Sequence, residues 1–387
     1  MSGRTAVTLF SGGRGGASIA RGLLRTPGVD LTLVINGYDN GRSTGALRRY
    51  LPGMLGPSDF RKNLLIHLDD RDPLRSVLER RLAAGTTPAE LTDLAGLPPG
   101  VRAAVARDLD VFLRRFDSRS CGFDLTDCAL GNLVFAGAYL RLGEDFNAAV
   151  RACARTFGSP AALVNVTNGE NAFLVALKQD GRLLADEADI VAPQDAAAIT
   201  DLFLLREPVT PELRAQLAGG PAEEARRVLA GLRAEVSLNP EAANAIRDAD
   251  LILYGPGTPH SSLLPSYLTP GIADAIAESR AAAKVFVVNT RDDHDVQGLS
   301  APDLVSRTLS YLGDPGNERG TVTHVLSHRS PEAPRVPSEI LDGGVWAGAR
   351  WVTADLADAE RPGVHCGPRT VRTLTGIADE AALARAR

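Results

Sequence analysis

Two glycine turns lie far apart in this chain. One is Ser11-Gly12-Gly13-Arg14-Gly15-Gly16; the other is Tyr254-Gly255-Pro256-Gly257-Thr258-Pro259-His260-Ser261-Ser262. Each follows an apolar, β-like run, Ala6-Val7-Thr8-Leu9-Phe10 and Ala249-Asp250-Leu251-Ile252-Leu253, and each precedes residues able to start a helix. A strand that breaks into glycines before a helix leaves backbone N–H groups unpaired. It also aims the positive end of the helix dipole at one place, an arrangement that suits a phosphate. One such turn says little; two on parallel-type strands suggest a nucleotide or diphosphate site.

Other polar clusters sit where such a ligand would need them. After the second strand-like run comes Asn36-Gly37-Tyr38-Asp39-Asn40-Gly41-Arg42-Ser43-Thr44-Gly45-Ala46-Leu47-Arg48. Asp39 can hold a divalent ion there and Ser43 or Thr44 a phosphate oxygen; a plain helix N-cap by Ser43 or Asp39 is the structural alternative. In Gly56-Pro57-Ser58-Asp59-Phe60-Arg61-Lys62-Asn63, Asp59 can cap the following helix while Arg61 and Lys62 face a phosphate. If Asp59 approaches Asp39, the two carboxylates form a hard-oxygen Mg²⁺ site of the kind that accompanies diphosphates; otherwise this is a solvated helix start. Asn132, in Gly131-Asn132-Leu133, can hydrogen-bond a base or ribose, and Asn289 leaves a strand at its carboxyl end. Taken singly, each has a structural explanation too. An NAD(P)-dependent oxidoreductase, with Asp39 on the ribose, is a remote reading, because Ser18 stands where the dinucleotide fingerprint needs its third glycine or an alanine.

The elements that must carry these residues follow from periodicity. Strands are expected over 5–10, 30–36, 161–166, 249–254, 283–289, 321–327 and 350–354, with a helix over about 17–24. Residues from about 72 to 158 read as helical, 173–177 and 182–184 as a hairpin turned by Gly181, 194–233 as helix with proline breaks, and 329–348 as irregular loop. The pattern is α/β: a mostly parallel, doubly wound sheet with a helical insertion. We expect one large domain spanning 1–387, with a core of 1–75 and 159–327, an insertion over about 76–158 and a C-terminal extension over about 328–387.

Bulk composition narrows the class. A net charge of −5 leaves no electrostatic footprint for nucleic acid. No apolar run approaches the roughly 18–20 residues of a membrane span, and the start has no signal-peptide core, so no membrane partner and a cytoplasmic location are expected. The cysteines, Cys121, Cys128, Cys153 and Cys366, are scattered and read as free thiols, and the six histidines lack metal-ligand spacing.

In their order along the chain these motifs resemble the family of 2-phospho-L-lactate transferase (CofD) and the bacterial gluconeogenesis factor YvcK. The family's Gly-Gly loop, Asp-Asp-Gly-Gly-Ser-Ser-Gly-x-Leu-Arg, Gly-Asp-x-Arg, Gly-Asn-Leu and Ala-Asp-x-Ile-x-x-Gly-Pro-Gly-Ser-x-x-x-Ser-x-x-Pro patterns have counterparts at 12–16, 39–48, 58–61, 131–133 and 249–265, and an Asn-containing strand end at 289–298. The resemblance runs from about residue 5 to about 310. It implies a modified Rossmann-like fold, usually dimeric. One activity it implies is transfer of a phosphoryl-linked group, with Mg²⁺, from a nucleoside-diphosphate-activated donor of GDP or UDP type to a hydroxyl acceptor. The other is a UDP-sugar-binding metabolic regulator that does no chemistry. By the same resemblance Gly12, Gly13, Gly15, Gly255, Gly257 and Thr258, with Ser261 in the same turn, contact phosphates. Asp39 and Asp59 hold the metal and position the acceptor, and Asn132 and Asn289 line the nucleotide pocket. This chain departs from the pattern at Asn40, Arg42, Ser58, Lys62 and Thr258, gaining two cations and losing one carboxylate beside the phosphates. That balance suits a more anionic ligand.

Overall fold

Strand β1 (Thr5–Ser11) lies at the centre of the packing, and its Val7, Leu9 and Phe10 are buried. It pairs in parallel with β2 (Val29–Ile35) on one side and β7 (Leu251–Tyr254) on the other. A parallel strand covered on both faces is written as a nearly continuous apolar run, which is why these strands stand out in the sequence. The computed structural model describes residues 4–386 apart from 92, 119–122, 194–196, 293–295, 297, 331–332 and 341–343, so Cys121 lies outside the described residues.

The remaining strands are β3 (Ala162–Asn165), β4 (Phe173–Lys178), β5 (Leu183–Leu184), β6 (Ile199–Leu205), β8 (Ala283–Val287), β9 (His324–His328), β10 (Val345–Trp346) and β11 (Ala349–Ala354). Eight strands form the main sheet in the order β10-β11-β9-β8-β7-β1-β2-β3, parallel throughout except for the β10–β11 pair. The expected α/β class and mostly parallel sheet are therefore present. Among the described residues no helix is long and apolar enough to cross a membrane, and Cys128, Cys153 and Cys366 are free.

Three expectations need correction. Within the stretch read as helix, Ile199–Leu205 is a strand, β6, pairing antiparallel with β4; with β5 it makes a separate three-stranded sheet. Its Ile-Thr-Asp-Leu-Phe-Leu-Leu sequence is strand-like in composition, and Val175, Leu177, Phe203 and Leu205 bury a small core against the helix Ala222–Gly231. The supposed irregular loop contains β10, whose short hairpin closes on β11. The C-terminal stretch is no appendage either: β11 extends the main sheet, and the helix Gly367–Arg385 packs on the helix Ala17–Leu24 so closely that a Cβ at Gly367 would lie 2.4 Å from the Ser18 carbonyl oxygen.

The helical insertion is present as expected and packs through the helices Pro99–Ser118 and Leu130–Arg141. The second is buried from Leu130 to Tyr139, and at Gly137 an added Cβ would sit 1.7 Å from the Asp108 carbonyl oxygen. Gly137→Ala therefore forces two backbones apart, and we expect it to cost about 3 kcal/mol, read as a lower urea midpoint at unchanged slope. An unchanged midpoint would show that the two helices do not meet at this glycine.

Candidate functional site

From β1 the chain runs outward through β2 to β3, then returns at β7 and continues through β8 and β9 on the other side. The point of reversal lies between β1 and β7. In open α/β sheets ligands bind there, beyond the carboxyl ends of the strands. Both glycine turns leave those two strands at that end.

The turns touch. An added Cβ at Gly15 would lie 2.7 Å from Gly257 Cα and 2.9 Å from the Pro256 carbonyl oxygen, and one at Gly12 only 2.3 Å from Ser262 Cβ. Gly255 has φ +74°, a conformation that glycine adopts without strain. Three asparagines lock the arrangement. Asn289 exchanges hydrogen bonds with Gly257, donating to its carbonyl at 3.1 Å and accepting from its N–H at 3.2 Å. Asn36 Nδ2 donates to the Ser262 carbonyl at 2.6 Å, and Asn63 Nδ2 to that of Gly12 at 2.7 Å.

Between the turns opens a cleft of about 550 Å³. Gly13, Gly15, Gly257, Thr258, Ser261 and Asn289 line it, together with Asp59 and Lys62. Gly12 and Gly255 shape the turns from behind.

Asp39, Asp59 and Glu187 form a carboxylate cluster; Asp59 and Glu187 line the cleft, while Asp39 stands against Glu187 outside that lining. Glu187 Oε2 accepts from the N–H groups of Asn40 at 2.7 Å and Gly41 at 3.1 Å, while Asp39 Oδ1 accepts from Gly41 at 2.9 Å. Burial, then the Asp39 charge and a hydrogen bond to it, push the Glu187 carboxyl well above the usual range. Burial works against the Asp39 charge too, but the bond from Glu187, the Lys62 ammonium and the Gly41 amide together hold its carboxyl below the usual range. The two thus titrate as a coupled pair, in which the surroundings favour the charge on Asp39 and the proton on Glu187. Asp59 is raised, chiefly by burial and against the pull of Lys62, whose Nζ donates to its Oδ1 at 2.8 Å. Burial opposes the Lys62 charge, yet Asp59 and Asp39 leave its pKa raised.

Four residues read from sequence as ligand contacts lie elsewhere. Ser43 and Thr44 do not line the cleft, and neither do Arg61 and Asn132. Thr44 Oγ1 lies 2.6 Å from Ser58 Oγ, Asn132 Nδ2 donates to the same Ser58 Oγ at 3.0 Å, and Arg61 Nε donates to Asn132 Oδ1 at 2.9 Å. This is a closed, buried polar network behind the helix Ser58–Leu64, and burial lowers the Arg61 pKa to about 10. Ser58, which departs from the family glycine, is its hub. Arg48 is likewise internal: it donates to the carbonyls of Tyr38, Asp39 and Ala172, fixing the Asp39 loop against β4's approach.

The family model described as 2-phospho-L-lactate transferase CofD matches residues 7–371. The chain belongs to the CofD family. The match extends well beyond residue 310, into the C-terminal region. Among this CofD-family chain's relatives, a gluconeogenesis factor of Bacillus subtilis (strain 168) is 28% identical over 94% of this chain and 90% of its own length. Another gluconeogenesis factor, from Halalkalibacterium halodurans, is 26% identical over 86% and 80%. A crystal structure of a upf0052 family protein from Bacillus halodurans shares the fold with a TM-score of 0.68 at 22% identity, covering 96% of this chain and 99% of that one.

Several residues that build the site in this CofD-family member were not singled out from sequence. Glu187 starts a five-residue helix after the hairpin, 147 positions from the amide it holds, and no spacing rule links the two. Asn36 and Asn63 were visible only as neighbours of motif residues. His365 lines the cleft from the C-terminal region, its Nε2 3.2 Å from the Val288 carbonyl oxygen, and burial lowers its pKa to about 4.

Proposed function

We propose that the cleft binds a nucleoside-diphosphate-linked small molecule and passes its phosphoryl-linked group to a hydroxyl acceptor. The observation that carries this reading is the meeting of two glycine turns at the reversal point of the sheet, with Gly15 against Gly257 beside a cleft that holds Lys62. The amides of the first turn receive the diphosphate, the second turn closes the cradle against them, and Lys62 offsets its charge. Asp39, ionised by its neighbours, orients the acceptor hydroxyl and takes its proton as the new bond forms.

Magnesium belongs to the same proposal. Among the described residues no group of three or more His, Cys, Asp or Glu could hold a metal ion by itself. An oxygen-only pair, Asp39 and Asp59, fits the ordinary mode for Mg²⁺, which takes one or two carboxylates and completes its shell with phosphate oxygens and water. When bound it would neutralise developing charge on the diphosphate.

A second reading, a nucleotide-sugar-binding regulator, draws on one observation. The Lys62 ammonium already engages Asp59, one of the two carboxylates that the chemistry would use. The gluconeogenesis-factor relatives point the same way. Incubation with GDP- and UDP-linked donors and Mg²⁺, followed by assay for GMP, GDP, UMP or UDP, decides between them. Release supports transfer, binding in calorimetry without release supports the regulator, and no binding of either donor defeats both.

The Asp39–Glu187 pair adds a pH signature. Because Glu187 ionises only above the usual glutamate range, raising the pH places a second negative charge beside an anionic ligand. Affinity for a UDP-sugar, measured without divalent ion, should fall as the pH climbs through that titration. In Glu187→Gln, which keeps the neutral shape and the donor to Asp39, the fall should be smaller, leaving only the part set by Asp59, whose carboxyl is also raised. A wild-type fall no larger than the variant's would remove Glu187 from the site.

A further inference from the structure

A second cavity, of about 410 Å³, lies between the helix Ala17–Leu24, residues 358–366 and the first turns of the helix Gly367–Arg385. It shares no lining residue with the cleft. Four arginines face it: Arg21, Arg25, Arg361 and Arg372.

The carboxylates do not balance them. Asp358 alone among the lining residues is acidic, and its Oδ2 is taken by Arg361 at 2.7 Å. Arg21 spends Nε on the Ile66 carbonyl at 2.8 Å, leaving its two terminal nitrogens for the cavity. Nearby, Asp70 is held by Arg75 at 2.9 Å. Among the described residues neither Arg25 nor Arg372 has a carboxylate partner. Burial and then the Arg75 charge pull the Arg21 pKa down, with Arg25 and Arg361 adding to them and Asp70 opposing. The walls meanwhile are fixed: Gly22 lets the two helices touch, since a Cβ there would meet Val371 Cγ2 at 2.9 Å.

We propose that this cavity is a binding site for a compact polyanion carrying two or more phosphate groups, held by the guanidinium forks of Arg21, Arg25, Arg361 and Arg372. Its volume lies within the range of about 300–1,000 Å³ common for small-molecule sites. Guanidinium groups suit phosphate because they present paired donors in a plane. The site is separate from the nucleotide cleft, and its argument does not depend on what that cleft binds.

Inorganic pyrophosphate is the probe, titrated into the full chain by calorimetry. Wild type should show a binding event that Arg25→Gln/Arg372→Gln weakens at least tenfold, while the control Arg155→Gln/Arg227→Gln, which removes the same charge from exposed positions elsewhere, leaves it unchanged. Both substituted positions are exposed, so the variant should keep its circular dichroism and melting temperature; if it does not, Arg372→Gln alone should give at least a threefold loss. No pyrophosphate binding by wild type, the same isotherm in the arginine variant, or an equal loss in the control would each overturn the proposal.

Discussion

Gly15→Ala should leave a folded protein that has lost most of its affinity for nucleotide-linked ligands. The new methyl would lie 2.7 Å from Gly257 Cα, 2.9 Å from the Pro256 oxygen and 3.2 Å from Gly257 N. All three are backbone atoms, so no rotamer change relieves the clash. Gly257 cannot retreat easily, since Asn289 grips it from both its N–H and its carbonyl. The first turn must therefore move, taking with it the amides that face the cleft. Overpacking of this kind costs on the order of 2 kcal/mol, and misplaced amides lose their hold on the diphosphate, so we expect at least a 30-fold weaker Kd in calorimetry with a melting temperature lowered by several degrees. Gly16→Ala is the matched control: its methyl would sit 3.4 Å from Ser11 Oγ, an ordinary contact, and affinity should stay within a few-fold. If Gly15→Ala binds a nucleotide sugar as wild type does, the two turns do not form one phosphate cradle.

What the sequence made legible follows from what each element buries. The strands of the main sheet are largely covered on both faces, so β1, β2, β7 and β8 appear as mostly apolar runs, interrupted inside only by Thr8, Asp30, Thr32 and Lys284, of the kind a parallel sheet explains well. The glycine turns were legible for a related reason, since few other contexts demand so many residues without side chains next to strand ends. β6 was hidden because its stretch also carries prolines and strong helix formers, and the real Ala222–Gly231 helix follows closely behind. Polar motifs carry a different ambiguity. Arg61 and Asn132 have the chemistry of ligand contacts, yet they spend it on each other and on Ser58 behind the cleft. Sequence records that a polar group is needed, and only packing decides whether it faces inward or outward. Glu187 shows the converse case, a cleft residue with no motif around it, placed by a contact that spans 147 positions.

Asp39→Asn should abolish turnover while leaving ligand affinity within a few-fold. The substitution keeps the size of the side chain and an oxygen for the Gly41 amide, so the loop retains its shape. Charge is nearly conserved as well. The Asp39 charge is one of the main causes that keep Glu187 protonated, after burial; once it is gone, Glu187 ionises at lower pH and restores one negative charge to the pair. A diphosphate arriving in the cleft therefore meets almost the same field. What does not return is a carboxylate at position 39 itself, the group assigned to align the acceptor hydroxyl and receive its proton. Loss of such a group ordinarily lowers kcat by about 10²–10⁴-fold, and because the charge moves to Glu187, the Asp39→Asn/Glu187→Gln double variant should then also bind differently from Asp39→Asn alone. Calorimetry beside a donor-cleavage assay reads both quantities on one preparation. Unchanged turnover would refute the catalytic assignment of Asp39, whereas a tenfold loss of affinity with no further effect from Glu187→Gln would show that the two carboxyls do not titrate as a coupled pair.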